Sequence, residues 1–374
     1  MKKLLAICAG ATLLLSACAG SGTSASDDPK AALIEALRGL SEADGLTQTI
    51  RLESDTDSLV AAGEGDIDDE TAAKILDSSI VVSATQAENP EDATSQIIVN
   101  IAGNDDLEIR FVEGDLYFRV DIESLLETFG QDPSQLEAVI GQVGGQPGLE
   151  WVDDAVAGDW VVLENALELS EQMAGAGSIG ADQQKKLVNN LLQTVEQNAT
   201  VTSEGEDDAG EHVRASLPLR ETLSDIVDAL GPAADMGGAA DLEGSLEDLP
   251  NEDITLDFWI SDGIVSKIGF DVVAFSETIE ESAEEEIPEG VEELSFVVEI
   301  EEFDGSVESV ADAAKIDVAA LGQAFAGMFG GGLPSTGTGS GGGAPSGAFD
   351  CGMLKGAPPE VIALYAEECP ELQK

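Results

Sequence analysis

The chain has 374 residues and an ordinary apolar fraction of 43%, with 16 Lys and Arg against 75 Asp and Glu, a net charge of −59. That balance excludes a nucleic-acid-binding surface, which needs clustered cations to displace counterions from phosphate, and excludes electrostatic adhesion to anionic lipid headgroups. The patterned apolar residues exclude disorder throughout, and the length suits one large domain or two small ones.

The first element is a short apolar run, Leu4 to Leu15, just after Lys2 and Lys3. A spanning helix needs roughly 20 apolar residues, so this run reads as a secretory signal peptide. It closes on Leu15-Ser16-Ala17-Cys18, which resembles a bacterial lipobox. The resemblance implies that residues 1–17 are removed and that Cys18 becomes the first mature residue, lipidated on its thiol and amino group as by palmitate. Removing Lys2 and Lys3 from the 16 basic residues leaves 14 against 75 acids, a mature charge of −61. The acyl chains therefore hold at the membrane a body that a charged bilayer surface repels. Residues 18–27 are small and polar and read as a tether.

Asp28-Pro29 opens a helix striped by Leu33, Ala36, Leu37 and Leu40. From Gly45 the period becomes two: Leu46, Ile50 and Leu52 share a face, interrupted by Gln48. Ser79–Thr85 and Ser95–Ile101 are rich in β-branched residues and read as strands. Leu107, Ile109 and Phe111 alternate with Glu108 and Arg110. The turn Glu113-Gly114-Asp115 follows, and then Leu116, Phe118 and Val120 alternate with Tyr117 and Arg119, a hairpin pattern.

The middle third reads mainly as helix, with a start at Asp132-Pro133 and a Leu187, Leu191, Leu192, Val195 stripe between Gln183 and Gln197. Trp160–Leu163 reads as a short strand, and Val213, Ala215 and Leu217 as another that runs into Pro218. Leu219, Leu223, Ile226 and Leu230 stripe a helix ended by Gly231-Pro232, before a Gly-, Ala- and acid-rich loop over 233–250. The clearest strands come late. Ile254, Leu256, Phe258 and Ile260 alternate with polar residues, and the turn Ser261-Asp262-Gly263 leads to a strand with Ile264, Ile268, Phe270 and Val272 on one face. An acidic connection from Glu277 to Glu293 precedes a third strand carrying Leu294, Phe296, Val298 and Ile300. An apolar helix from Val318 to Phe329, a Gly/Ser/Pro linker at 331–347 and a tail at 348–374 complete the chain.

Such alternation predicts an antiparallel sheet with one apolar and one polar face, covered by amphipathic helices. No parallel βαβ repeat is discernible. Once Cys8 leaves and Cys18 is lipidated, Cys351 and Cys369 remain, and in an exported setting they read as a disulfide closing the helical tail, with two free thiols as the alternative.

Motifs for chemistry are scarce. Leu333-Pro334-Ser335-Thr336-Gly337 matches a sortase motif but lacks the hydrophobic span and basic tail that sorting needs, and reads as linker. His212 is the single histidine, on the polar side of a strand, with no zinc-ligand set or nucleophile motif near it, and reads as a surface residue. The acidic stretches Asp66–Glu70 and Asp241–Asp253 lack an EF-hand pattern and read as solvated charge. The expectation is no catalytic residue, no metal and no cofactor. Trp151, Trp160 and Trp259 are too few for a sugar-binding cleft to be read from them.

Leu256-Asp257-Phe258-Trp259-Ile260-Ser261-Asp262-Gly263-Ile264-Val265-Ser266-Lys267, with Glu113-Gly114-Asp115-Leu116-Tyr117-Phe118 and Gly158-Asp159-Trp160-Val161, resembles the LolA/LolB-like lipoproteins, the LppX/LprG-type carriers among them. The resemblance runs from about Asp28 to Phe303. It implies an α+β domain over 28–330 in which a curved, half-barrel-like antiparallel sheet packs against helices and acyl chains lie between them. Leu46, Ile50, Leu107, Ile109, Phe111, Phe118, Phe258, Phe270 and Phe296 are the lining residues it implies. The expected role is non-catalytic binding of a lipid by a lipoprotein anchored through Cys18 on the extracytoplasmic side of the cell membrane. The alternative is a cell-envelope interaction lipoprotein with a packed core, no ligand and a protein partner.

Overall fold

The computed structural model describes residues 24–320, with breaks at 41, 64, 86, 88–91, 129, 133–147, 167–191, 223, 225–251, 280–287, 289 and 319. The chain divides into two compact units, Met1–Ala324 and Phe325–Lys374, and the second lies wholly outside the described residues. So do Cys18, Cys351 and Cys369, the Asp132-Pro133 helix start beyond its first residue, the 233–250 loop and most of the Val318–Phe329 helix.

Asp28 accepts the Ala31 N–H at 3.0 Å and so starts helix α1 (Pro29–Leu40), whose leucine stripe faces inward as its spacing predicts. Strand β1 (Gly45–Ser54) follows, then two short helices, α2 (Thr56–Ala62) and α3 (Asp69–Leu76). Next come four strands in sequence: β2 (Ser79–Thr85), β3 (Ser95–Ile101), β4 (Asn104–Val112) and β5 (Asp115–Val120). Helices α4 (Ile122–Thr128) and α5 (Trp151–Val156) lead to β6 (Val161–Leu163). The second half supplies β7 (Thr200–Asp207), β8 (Gly210–Pro218), β9 (Asp253–Ser261) and β10 (Ile264–Asp271). Helix α6 (Val272–Ile279), β11 (Leu294–Glu302) and β12 (Ala314–Lys315) end the series.

All twelve strands form one curved sheet in the order β12-β6-β5-β4-β3-β2-β1-β11-β10-β9-β8-β7. Two antiparallel meanders, β1 to β5 and β7 to β11, lie side by side and are joined where β1 pairs with β11. The β12–β6 pair is parallel, and among the described residues the sheet does not close, since β7 and β12 end it. This is the α+β, half-barrel-like architecture expected.

The hairpin turns follow from local chemistry. Glu113-Gly114 and Asp262-Gly263 both adopt positive φ, the paired left-handed conformation of a tight two-residue hairpin. Other elements differ from expectation. Edge strand β7 carries a single inward apolar residue, Val201, and its exposed acidic sequence gave no alternation to read. Helix α6 occupies the start of what reads as an acidic connection, and Val272 belongs to it rather than to β10. A bulge between Val265 and Lys267 also shifts the register of β10. Val265, paired with Ile260 and fully buried, thus takes the inward position that simple alternation gives to Ile264.

Ser24 and Ala25, within the expected tether, are already packed. The Ser24 hydroxyl donates to Glu211 Oε1 at 2.9 Å, and the Ala25 N–H donates to Glu211 Oε2 at 2.8 Å. The small Ala25 side chain is 1% exposed, inside the main core.

Candidate functional site

Strand register decides which side chains share a face. Reading across directly paired positions, Val120, Leu107, Val99, Ile80, Ile50, Val298, Ile268, Phe258 and Val213 form one row over nine strands. A neighbouring row runs Val161, Phe118, Ile109, Ile97, Val82, Gln48, Ile300. Phe111 pairs with Leu116, and Phe296 lies between Leu52 and Phe270. Register therefore places all nine residues singled out in the sequence on one continuous apolar face.

That face is not covered uniformly. Over β8 to β11 it is closed by α1, through Leu33, Ala36, Leu37 and Leu40, and by Leu192 and Val195 of the helical segment 192–198. Each fully buried leucine or phenylalanine there contributes about 1.5–3 kcal/mol of burial. Leu46 and Phe258 are buried in this core, and Phe270 packs against it, with Phe275 at 5.3 Å between ring centres. Among the described residues this core ends at β1 and includes no residue of β2 to β5. On those strands the same face is only half-buried: Val82, Ile97, Val99, Leu107, Ile109, Phe111, Leu116, Phe118 and Val120 all keep partial exposure, and Ile80 is 41% exposed. Ile50 and Phe296 are half-buried as well.

The opposite face is polar and cross-linked. Six strand cations lie on it: Arg51, Arg110, Arg119, Arg214, Lys267 and Lys315. Glu299 binds Arg51, which binds Glu53 at 2.8 Å; Glu53 also meets Lys267 at 3.4 Å. Burial alone raises the Glu53 carboxyl, but Arg51 and Lys267 outweigh it and hold the group below its usual range. Lys267 lies over Trp259 at 4.9 Å, and Trp259 stacks flat on His212 at 4.5 Å. His212 Nε2 hydrogen-bonds Asp257 Oδ1 at 2.7 Å, so this histidine is on the polar side as its position predicts but is held in a ladder rather than free on the surface.

Across β3 to β5 the polar face has its own cover. Glu108, 5% exposed, accepts from Arg110 Nε at 2.8 Å, from Arg119 Nη2 at 2.9 Å and from Gln96. Both guanidinium groups lie over Trp160, at 4.6 and 5.4 Å. The segment after β11 runs here, with Val307, Val310 and Ala313 packed on Val112, Tyr117 and Val162 and the Glu308 carbonyl accepting from Arg110. Sequence reading found no such strap, because its few apolar residues have no regular period. Two tryptophans are thus committed to cations and stacking on the polar side.

Among the described residues no group of three His, Cys, Asp or Glu is placed to hold a metal ion, and no helix is long and apolar enough to cross a membrane. Asp68, in one acidic stretch read as solvated charge, accepts the Thr71 N–H at 2.8 Å and caps α3.

No protein-family model matches this chain. No curated protein matches it either. Among solved structures, the chain is similar to the Mycobacterium tuberculosis lipoprotein LppX, at 10% identity over 75% of this chain and 98% of that one, with a TM-score of 0.31. At that score the architecture rests on the strand order and register of this chain itself.

Proposed function

We propose that this protein is an extracytoplasmic lipoprotein, anchored through lipidated Cys18, that binds the acyl chains of an amphiphile without catalysis. The observation that carries this reading is the unequal cover of one apolar face: filled by α1 over β8 to β11, half-exposed over β2 to β5. A soluble domain gains about 25 cal/mol per Å² by removing such a surface from water, and an extended apolar surface rimmed by charge is the usual mark of a binding site. An acyl chain suits it because the rows are aliphatic and aromatic apart from Gln48, with no cation on that side of the strands. Ile50, Leu107, Ile109, Phe111, Phe118 and Phe296 are the contact residues in this reading. The domain occupies 28–330, with residues 331–347 as linker and a Cys351–Cys369 disulfide closing the tail. A protein of the cell envelope is the natural recipient or donor of the lipid.

Two measurements test the proposal. The chain from residue 18 onward with Cys18→Ser, purified without detergent and extracted with organic solvent, yields acyl lipid by mass spectrometry in near-stoichiometric amount. Lipid-free protein would instead support a packed interaction module. For the anchor, fractionation places the full chain with membranes and the full chain bearing Cys18→Ser outside them, and an alkyne fatty acid labels the first and not the second; labelling that survives Cys18→Ser contradicts the anchor.

A further inference from the structure

Strand β11 ends at Glu302 beside β1, and β12 pairs with β6, so residues 303–313 pass from one flank of β2–β5 to the other. Both ends of this strap are hydrogen-bonded. The Phe303 N–H donates to the Gly45 carbonyl at 2.9 Å, and past the crossing the Ala314 and Ile316 N–H groups donate to the Trp160 and Val162 carbonyls at 2.8 and 2.9 Å. Gly45 admits the first seat, since a Cβ there would fall 2.6 Å from the Phe303 carbonyl oxygen. Between its ends the strap is held to the polar face by Val307, 6% exposed against Val112, Tyr117 and Val162. The Glu308 carbonyl adds a second hold, accepting from Arg110 Nη1 at 3.2 Å.

The strap has little length to spare. No turn or helix interrupts residues 303–310, and one turn follows, in which the Ala313 N–H donates to the Val310 carbonyl at 3.4 Å. With that turn, the chain from Phe303 to Ala314 reaches at most about 36 Å. Seven strand spacings separate β11 from β12 along the sheet, about 34 Å in all. The strands so bracketed, β2 to β5, are those whose apolar face is half-exposed and lies outside the core closed by α1. Resting on the lipid-binding reading above for its consequence, we infer that residues 303–313 are a tie that fixes the spread of β2–β5 and, through it, the hold of their apolar face on acyl chains.

The test lengthens the tie. Spin labels are placed at Glu164→Cys and Glu301→Cys, both exposed positions near its two ends, in the chain from residue 18 onward with Cys18, Cys351 and Cys369 replaced by serine. Double electron–electron resonance gives a narrow distribution of label separations in this parent. Inserting Gly-Ser-Gly between Glu308 and Ser309 adds roughly 10 Å of reach, and the distribution broadens by several Å. The same insertion between Asp304 and Gly305 serves should the first variant fold poorly, circular dichroism establishing the fold of each. Val307→Ala, which weakens the packing without lengthening the chain, lowers the melting temperature and leaves the distribution narrow. Lipid retained per folded molecule, measured on the same preparations by mass spectrometry, falls with the insertion. A distribution that stays narrow after insertion, or that broadens equally in Val307→Ala, overturns the tie and leaves lipid binding intact. Broadening with undiminished lipid overturns the link between spread and hold. A parent chain without lipid whose distribution still broadens on insertion removes the carrier reading and leaves the tie standing.

Discussion

Asp55 and Asp68 each accept a backbone N–H three residues on, from Ser58 and Thr71, both at 2.8 Å. Those bonds favour the ionised carboxyl, so both groups titrate below the usual aspartate value of 3.8. A depressed folded-state pKa means the stabilisation is fully present above the unfolded value and lost as pH falls through the folded one. Asp68→Ala is therefore expected to lower the melting temperature by a few degrees at pH 6, with the gap from the parent chain shrinking below about pH 4. Calorimetry at both pH values checks it; a gap that stays constant shows that the cap acts through something other than its charge. The capping pattern was in the sequence all along, at Asp55 to Ser58 and Asp68 to Thr71. The helices themselves are not legible there, because seven and eight residues carry too few apolar positions to show a period.

The elements divide by how local their cause is. The β4–β5 and β9–β10 hairpins were legible, because period-two alternation and a two-residue turn are sequence-local. The face on which Leu107, Phe118 and Phe296 lie was legible for the same reason. The pairing of β1 with β11 was not, since it joins the two ends of the domain, and neither was the core boundary at β1, which depends on where α1 docks. Nor could alternation reveal the bulge that turns Val265 inward. This division has a measurable consequence on a single face. Phe258→Ala, in the covered half, is expected to cost about 3–5 kcal/mol in urea unfolding and to leave lipid content per folded molecule unchanged. Phe118→Ala, in the half-exposed part, costs about 1–2 kcal/mol and reduces the retained lipid. Equal stability losses with no change in retained lipid would mean that the two halves are one filled core.

For the whole molecule, charge, tether and sheet combine into one arrangement. Ser24 and Ala25 are clasped by Glu211 at the β7–β8 end of β8, and an extended chain from Cys18 to Ser24 reaches at most about 20 Å. In the anchored reading, that end of the sheet is the one nearest the bilayer. The hairpin turns at that end present Asp207, Asp208 and Asp262 rather than cations, so in that reading acyl chains and not headgroup attraction set the standoff. Six of the 16 lysines and arginines lie within the strands, where they bind carboxylates across the polar face. The opposite face is left to apolar contact. The central claim is that acyl chains lie on the β2–β5 part of the apolar face. Photocrosslinking tests it most directly: a phospholipid with a diazirine in its acyl chain is loaded into the delipidated chain from residue 18 onward with Cys18→Ser, irradiated, and the adducts are mapped by peptide mass spectrometry. Adducts are predicted on Ile97, Ile109, Phe111 and Phe118. Adducts confined to the polar face, or none above the level of a non-binding control protein, would contradict it.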